Sequence, residues 1–138
     1  AECLEKYIDE NGDWRGYFTI EALALRATAN KAELHARLFD AYKSNNKQEL
    51  NRITETVIPQ TIEYYIEFYK LFQEMWLREC KAFGWEIHCA RKGFQLERLK
   101  YAADTLGKYL SGELEKIEEL EVAQLNQKIT VCDTTMFD

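Results

Sequence analysis

The sequence has few residues that interrupt helices, and it has no long apolar run. It contains one proline and six glycines in 138 residues, a composition that favours long helices. Its apolar runs stay well short of the ~20 residues of a membrane-spanning helix, and no charged-then-apolar signal segment opens it. A chain of this length predicts a single domain over residues 1–138.

Concentrated positive charge is also missing. The net charge is −6, and no basic block occurs, whereas proteins that bind nucleic acid or anionic membranes need clustered Lys and Arg. We therefore expect neither nucleic acid nor a membrane as a partner. The four cysteines form no CxxC pair, which favours reduced thiols and a reducing compartment such as the cytoplasm: Cys3, Cys80, Cys89 and Cys132.

Motifs for metal, cofactor or catalytic chemistry are not recognisable. Both histidines occur as Glu-x-His, in Glu33–His35 and Glu86–His88, which places the two side chains about 200° apart on a helix. Di-metal bundles use Glu-x-x-His instead. Cys89 and His35 offer a nucleophile and a base, but small buried thiols are the commoner arrangement. We predict no catalytic residue, no cofactor and no metal site.

The spacing of apolar residues predicts an all-α fold, an antiparallel bundle of about four to five helices with a long aromatic-rich central helix. Residues 1–17 are expected to form a linker or docking segment, and 121–138 a tail. A first helix is predicted to begin with Thr19 as N-cap, between Phe18 and Leu23 as a hydrophobic staple, and to end at Ser44.

The next predicted helix begins at Asn46, with Glu49 completing a capping box. Pro59 predicts a kink or short break and extended backbone angles at Ile58. The third helix, 59–82, confines its polar residues to one narrow stripe, so its other faces need cover. These polar residues are Glu63, Glu67, Lys70, Glu74, Arg78 and Lys81.

The third helix is predicted to be the spine of the domain. Its aromatic side chains suit either a packed core or a ligand groove, and the full helical periodicity favours the core. Gly84 is expected to cap its end in the left-handed conformation, and a fourth helix follows to Leu110. Gly93 in the interior of that helix suggests the close approach of another backbone. A turn at Gly112 and a short acidic helix complete the pattern.

The densest segment is 83–99, where charged residues stand beside large apolar ones. Arg91 and Arg98 are seven apart and therefore lie on one helix face. They suit either structural ion pairs between helices or contact with an acidic or hydroxylated partner. Candidate interface residues are Trp76, Phe83, Gly84, Trp85, Glu86, Arg91, Gly93 and Arg98.

A run of residues in this region resembles the C-terminal helical domain of bacterial family 20 glycoside hydrolases, which are exo-β-N-acetylhexosaminidases. The run comprises Tyr65, Phe68, Phe72 and Trp76, then Phe83-Gly84-x-Glu86, Arg91-x-Gly93 and Arg98-Leu99, with Phe94 in place of a second glycine. The family's catalytic Asp-Glu pair lies on a separate barrel, and no such motif occurs here. Its mechanism uses the substrate's acetamido group as nucleophile, an exception to the two-carboxylate scheme.

The resemblance implies an accessory domain that packs on the catalytic barrel of the same polypeptide and forms a homodimer, in a bacterial cytoplasm. The start at Ala1 suits a fragment of such a multidomain enzyme. One alternative is a free-standing homodimeric regulatory protein. A second is a small helical enzyme of the chorismate-mutase kind, which requires Arg26, Arg37, Arg91 and Arg98 to converge on one pocket.

Overall fold

The computed structural model describes residues 14–122, and this part of the chain is helical without a strand. The all-α prediction is therefore confirmed, while most of the 1–17 segment and of the 121–138 tail lies outside the described residues. The helices are α1 Arg15–Ala32, α2 Leu34–Lys43, α3 Lys47–Arg52, α4 Ile58–Glu79, α5 Trp85–Ser111 and α6 Glu118–Glu121, with a π-helical segment at Ile53–Val57.

The first predicted helix is divided in two, and its predicted start is wrong. Helix α1 begins at Arg15, so Thr19 lies inside it and its hydroxyl donates to the carbonyl oxygen of Arg15 at 2.8 Å. Glu33, with φ −101° and ψ −5°, separates α1 from α2. The division lets α1 pack along α4 while α2 packs against α3. Packing of the whole domain therefore overrides the local preference for one long helix.

Asn46 caps α3, as predicted. Its side chain accepts a hydrogen bond from the backbone N–H of Glu49 at 3.1 Å. The reciprocal bond of a capping box is not formed, because the Glu49 carboxylate binds Arg37 and Arg52 instead. These arginines hold the pKa of Glu49 below its ordinary value, Arg37 having the larger effect.

The predicted break at Pro59 is wrong. Ile58 is helical, with φ −67° and ψ −49°, and its N–H donates to the carbonyl of Ile53, five residues earlier. A proline ring ordinarily clashes with the carbonyl four residues before it, and the wider π turn provides room for that ring. The helical path therefore continues through 47–79, with Pro59 near the start of α4.

The core lies where the π-helical segment and the start of α4 meet the second half of α5. The largest fully buried side chains are Leu50, Ile53, Ile58, Leu106 and Thr61. Helix α4 buries residues fully only at Ile58, Thr61 and Tyr69. The predicted polar stripe of α4 is exposed, but so are Ile66 at 49% and Leu77 at 48%. Helix α4 is therefore the spine of the core only in its first three turns.

The C-terminal part of the described chain is attached to the core by polar contacts. The hydroxyl of Tyr42 donates to the carboxylate of Glu121 at 2.6 Å and accepts from the N–H of Ile117 at 3.2 Å. Arg98 on α5 donates twice to Glu119, at 2.7 and 3.1 Å. Helix α6 is therefore held from two sides.

Candidate interaction surface on helix α5 and the α4–α5 turn

A tight turn joins α4 to α5. Gly84 adopts the predicted left-handed conformation, with φ 94°, immediately before α5. Its N–H donates to a carboxylate oxygen of Glu86 at 2.9 Å, so that carboxylate satisfies a donor at the start of the helix. A Cβ at Gly84 would lie 3.8 Å from the Trp76 ring, and the positive φ strains any other residue there.

Five aromatic side chains from both helices pack beside this turn: Phe68, Phe72, Trp76, Trp85 and His88, here called the aromatic cluster. The imidazole of His88 lies 4.7 Å from the Trp76 ring, 5.0 Å from Phe72 and 5.6 Å from Trp85, measured between ring centroids. The indole N–H of Trp76 donates to the carbonyl of Lys81 at 3.1 Å. These contacts fix the ends of α4 and α5 against each other and give the turn a rigid base.

Four large apolar side chains in the α4–α5 turn and at the adjacent ends of α1, α4 and α5 are exposed. They are Trp14 at 62%, Leu77 at 48%, Phe83 at 88% and Ile87 at 54%, here called the corner patch. The hydroxyl of Tyr17 donates to the Glu79 carboxylate at 2.6 Å, which places the start of α1 beside the end of α4. Trp14 and Tyr17 line a small depression with Arg78 and Glu79. The first described residue of α1 therefore lies at the same end of the molecule as the turn.

A second apolar feature runs along the solvent side of α5. Ile87, Ala90, Phe94 and Tyr101, here called the outer ridge, follow helical spacing and are all exposed, Phe94 at 71% and Tyr101 at 54%. Arg91 lies on one edge of the ridge and forms no hydrogen bond or ion pair within residues 14–122. A Cβ built on Gly93 would meet nothing within 4 Å in this part of the chain.

The two arginines of the segment have different environments. Arg98 forms a bidentate ion pair with Glu119, which raises the pKa of Arg98 and lowers that of Glu119. The charge of Arg91 acts on Tyr69, where it opposes the rise in the hydroxyl pKa that burial causes. Arg98 therefore forms an ion pair between two helices, whereas Arg91 has no ion-pair partner among residues 14–122.

The structure brings five of the eight candidate residues together at the turn: Trp76, Phe83, Gly84, Trp85 and Glu86. Arg91 and Gly93 lie farther along α5, and Arg98 faces α6. Sequence reasoning missed His88 at the centre of the aromatic cluster and the exposure of the outer ridge. The seven-residue spacing of Ile87, Phe94 and Tyr101 was the available signal for the ridge.

The residues of the other candidate sites, which are an arginine pocket, a cysteine nucleophile and a metal site, do not come together in the described structure. Arg37 binds Glu49, Arg98 binds Glu119, and Arg26 lies over the Tyr64 ring at 5.7 Å, so the four arginines do not line one pocket. Cys89 is exposed. Across 14–122, no group of three or more His, Cys, Asp or Glu residues is placed to hold a metal ion.

A groove of about 980 Å³ lies at the α6 end of the described structure. It is lined by His35, Arg98 and the 114–120 segment.

Comparison with known proteins identifies the family. The family model described as the Glycoside Hydrolase 20C C-terminal domain matches residues 1–135. No curated protein matches the chain. Among the described helices, none combines the length and apolarity that crossing a bilayer requires. The chain belongs to the family of glycoside hydrolase 20C C-terminal domains.

Proposed function

We propose that this chain is the accessory C-terminal domain of a β-N-acetylhexosaminidase and that its corner patch packs against the catalytic domain of the same polypeptide. The observation that carries this proposal is the exposure of Trp14, Leu77, Phe83 and Ile87 at the end where α1 begins. The described part of the chain also begins at this end, with Trp14. A neighbouring domain is therefore well placed to cover the patch.

The physical reason for such packing is the cost of leaving this surface in water. Phe83 and Trp14 each carry an aromatic side chain with on the order of 150–250 Å² of surface to bury. Soluble monomers rarely leave a contiguous apolar patch of several hundred Å² uncovered, and such patches mark interaction sites. The ring contacts of Trp76 with Trp85 and His88 fix the ends of α4 and α5, which carry Leu77 and Ile87, so little backbone order is lost when a partner covers the patch.

In this proposal the chemistry belongs to the catalytic domain, which hydrolyses terminal N-acetylhexosamine, and this chain supplies no catalytic residue. The 138-residue chain, purified stringently, should show no turnover of an aryl N-acetylglucosaminide. Turnover that co-purifies with the chain would contradict the assignment. Exposed, free Cys80 and Cys89 suit a reducing compartment, and we propose the bacterial cytoplasm for the whole enzyme.

The interdomain contact is tested in the complete polypeptide with Phe83→Asp. Val122→Asp is the matched control, because Val122 is 68% exposed and lies at the α6 end. We expect Phe83→Asp to lower the melting temperature and to open the chain to limited proteolysis between the domains. The control should do neither. Equal behaviour of the two variants would refute packing at the corner patch.

We propose subunit packing as a second role, through a different surface. Leu25 on α1 is 45% exposed and Ile66 on α4 is 49% exposed. The two helices run side by side here, since Arg26 lies over Tyr64 and Asn30 contacts Gln60. Ile66→Glu should shift the complete polypeptide from dimer to monomer in analytical ultracentrifugation. A monomeric wild-type protein, or a dimer that Ile66→Glu leaves intact, would contradict this role.

A further inference from the structure

The groove at the α6 end has a largely apolar lining. It is formed by residues 98–108 of α5, by residues 114–120 and by His35 and Leu38 of α2. Six apolar side chains from these elements, here called the apolar lining, border its volume of about 980 Å³: Leu38, Ala102, Leu106, Leu114, Ile117 and Leu120. Three of them are buried and three are partly exposed. A groove of this size with an apolar lining is typical of a binding site.

The charged side chains at the groove do not favour a small polar ligand. Arg98 binds Glu119 and Lys108 binds Asp104, each pair at 2.7 Å. Within residues 14–122, every buried side-chain nitrogen or oxygen has a hydrogen-bond partner. Sites for small molecules ordinarily direct a few polar groups at the ligand, and groups that bind each other are poorly suited to that task. The groove therefore suits an apolar stretch of polypeptide.

The described part of the chain ends beside this groove. Leu120 belongs to the apolar lining, and Val122, two residues later, is the last described residue. The hydrogen bond from Tyr42 to Glu121 fixes the point at which the chain leaves α6. The family model continues through residue 135, so residues 123–135 belong to the same domain. A segment of this domain is therefore covalently attached at the edge of the groove.

The chain beyond Val122 is long enough to cover the groove. The α5 residues that line the groove extend from Arg98 to Lys108, a distance of ~15 Å at ~1.5 Å per residue. Ten residues of extended chain span ~33 Å at ~3.3 Å per residue. Residues 123–132 therefore reach the whole groove even if several of them are used to turn back from α6. They include the apolar Leu125, Ile129 and Val131.

The charges of the groove and of this segment are complementary. The groove carries three cationic side chains and four carboxylates, which belong to Asp104, Glu115, Glu118 and Glu119. Asp104 and Glu119 form ion pairs, whereas Glu115 and Glu118 form none within residues 14–122. Lys128 is the only charged residue between 123 and 132. A cation beside these two carboxylates is favourable, especially where apolar groups exclude water.

We propose that residues 123–132 of this chain fold back into the groove. Leu125, Ile129 and Val131 cover the apolar lining, and Lys128 lies against Glu115 and Glu118. The proposal goes beyond the interdomain contact at the corner patch, because the groove lies along the second half of α5 and its occupant belongs to this domain. Failure of either proposal leaves the other intact.

The first test is amide hydrogen exchange in the complete polypeptide, resolved by peptide. Ile129→Asp places a charge against the apolar lining, and Thr135→Asp adds the same charge to the chain outside the proposed contact. We expect Ile129→Asp to speed exchange over 101–108 and 114–120 at least tenfold and Thr135→Asp to change it less than twofold. Equal effects of the two variants would overturn the inference, as would acceleration centred on another surface.

The second test uses the unmodified sequence and does not depend on a variant that folds. A carbodiimide joins a lysine to a carboxylate only when the two are in contact. Peptide mass spectrometry should find Lys128 joined to Glu115 or Glu118, and Lys128→Arg should abolish that link. The absence of the link in the wild type would overturn the inference.

An equal mixture of ¹⁴N-labelled and ¹⁵N-labelled chains identifies the origin of the segment in the groove. Links that join only peptides with the same label place the segment in the groove of its own chain, as proposed. Links between differently labelled peptides would mean that a second copy supplies the segment, and they would overturn the inference.

Discussion

Removal of the Tyr42 hydroxyl should lower the free energy of unfolding by an amount that can be worked out from its two hydrogen bonds. Tyr42 is 8% exposed, accepts a hydrogen bond from the buried N–H of Ile117 and donates one to Glu121. Tyr42→Phe keeps the ring and its contact with Tyr109, whose centroid lies 5.2 Å away. The substitution therefore removes the two hydrogen bonds with little change in packing.

Most of the expected loss of stability comes from the backbone N–H of Ile117, which loses its hydrogen-bond acceptor. A buried amide that loses its acceptor costs about 1–3 kcal/mol. The Glu121 side chain is 47% exposed, so water replaces the lost donor and that bond adds little. We expect the free energy of unfolding to fall by about 2 kcal/mol. With a urea m-value of about 2 kcal/mol/M, the midpoint falls by about 1 M.

Urea unfolding of the chain, followed by far-UV circular dichroism, measures this shift. Tyr101→Phe is the control, since Tyr101 is 54% exposed and its hydroxyl makes no hydrogen bond within residues 14–122. The control midpoint should stay within ~0.2 M of the wild type. A similarly small shift for Tyr42→Phe, at unchanged m-value, would refute the reasoning about the Ile117 amide.

Three further changes test the core, the backbone and the charges. Leu50→Ala removes a fully buried side chain and should cost about 3 kcal/mol in calorimetry. Gly112→Ala should destabilise by about 1 kcal/mol in urea unfolding because Gly112 has φ 83°, whereas Gly107→Ala should stabilise. The pKa of Glu119 is lowered by its bond to Arg98, so the stability it gives is present at neutral pH and is lost as the pH falls through that lowered pKa. The protection of the α6 amides against hydrogen exchange, relative to an unfolded chain at the same pH, should therefore decrease on acidification, and Glu119→Gln should flatten this dependence.

The sequence predicted those helix ends that depend on one residue's own chemistry. Asn46 caps α3 through its side chain, and Gly84 and Gly112 adopt positive φ, which glycine tolerates without strain. Each of these signals is local. Their physical cause can therefore be read from a few neighbouring residues.

The errors occurred where distant contacts decide the outcome. Glu33 separates α1 from α2 because the two helices pack against different partners, which no local pattern encodes. The periodicity of α4 predicted a buried helix, yet Ile66 and Leu77 are about half exposed in the described chain. A helix that is apolar on most faces needs other elements to shield those faces from water. Its sequence does not say whether the same domain, another domain or another protein provides them.

The candidate surface was predicted in part. The segment 83–99 was recognised from its composition, and in the structure α4 and α5 meet at its start through the aromatic cluster, which the sequence did not predict. The separate roles of Arg91 and Arg98 were not predictable, because the Glu119 partner is 21 residues from Arg98 in sequence. Because both arginines lie on one helix face, the sequence was compatible with an ion pair between helices or a partner contact for each of them.

The π-helical segment at Ile53–Val57 has a consequence for chain length. A π turn holds one residue more than the α turn it replaces, so loss of one residue from this segment would restore ordinary α-helical bonding. The residues after the deletion would keep their orientation about the helix axis, because five residues of a π turn and four residues of an α turn complete nearly the same rotation. Tyr69 would therefore stay in the core. Related sequences with one residue fewer between Leu50 and Tyr69 should share this packing and should have an ordinary α-helical turn in place of the π turn.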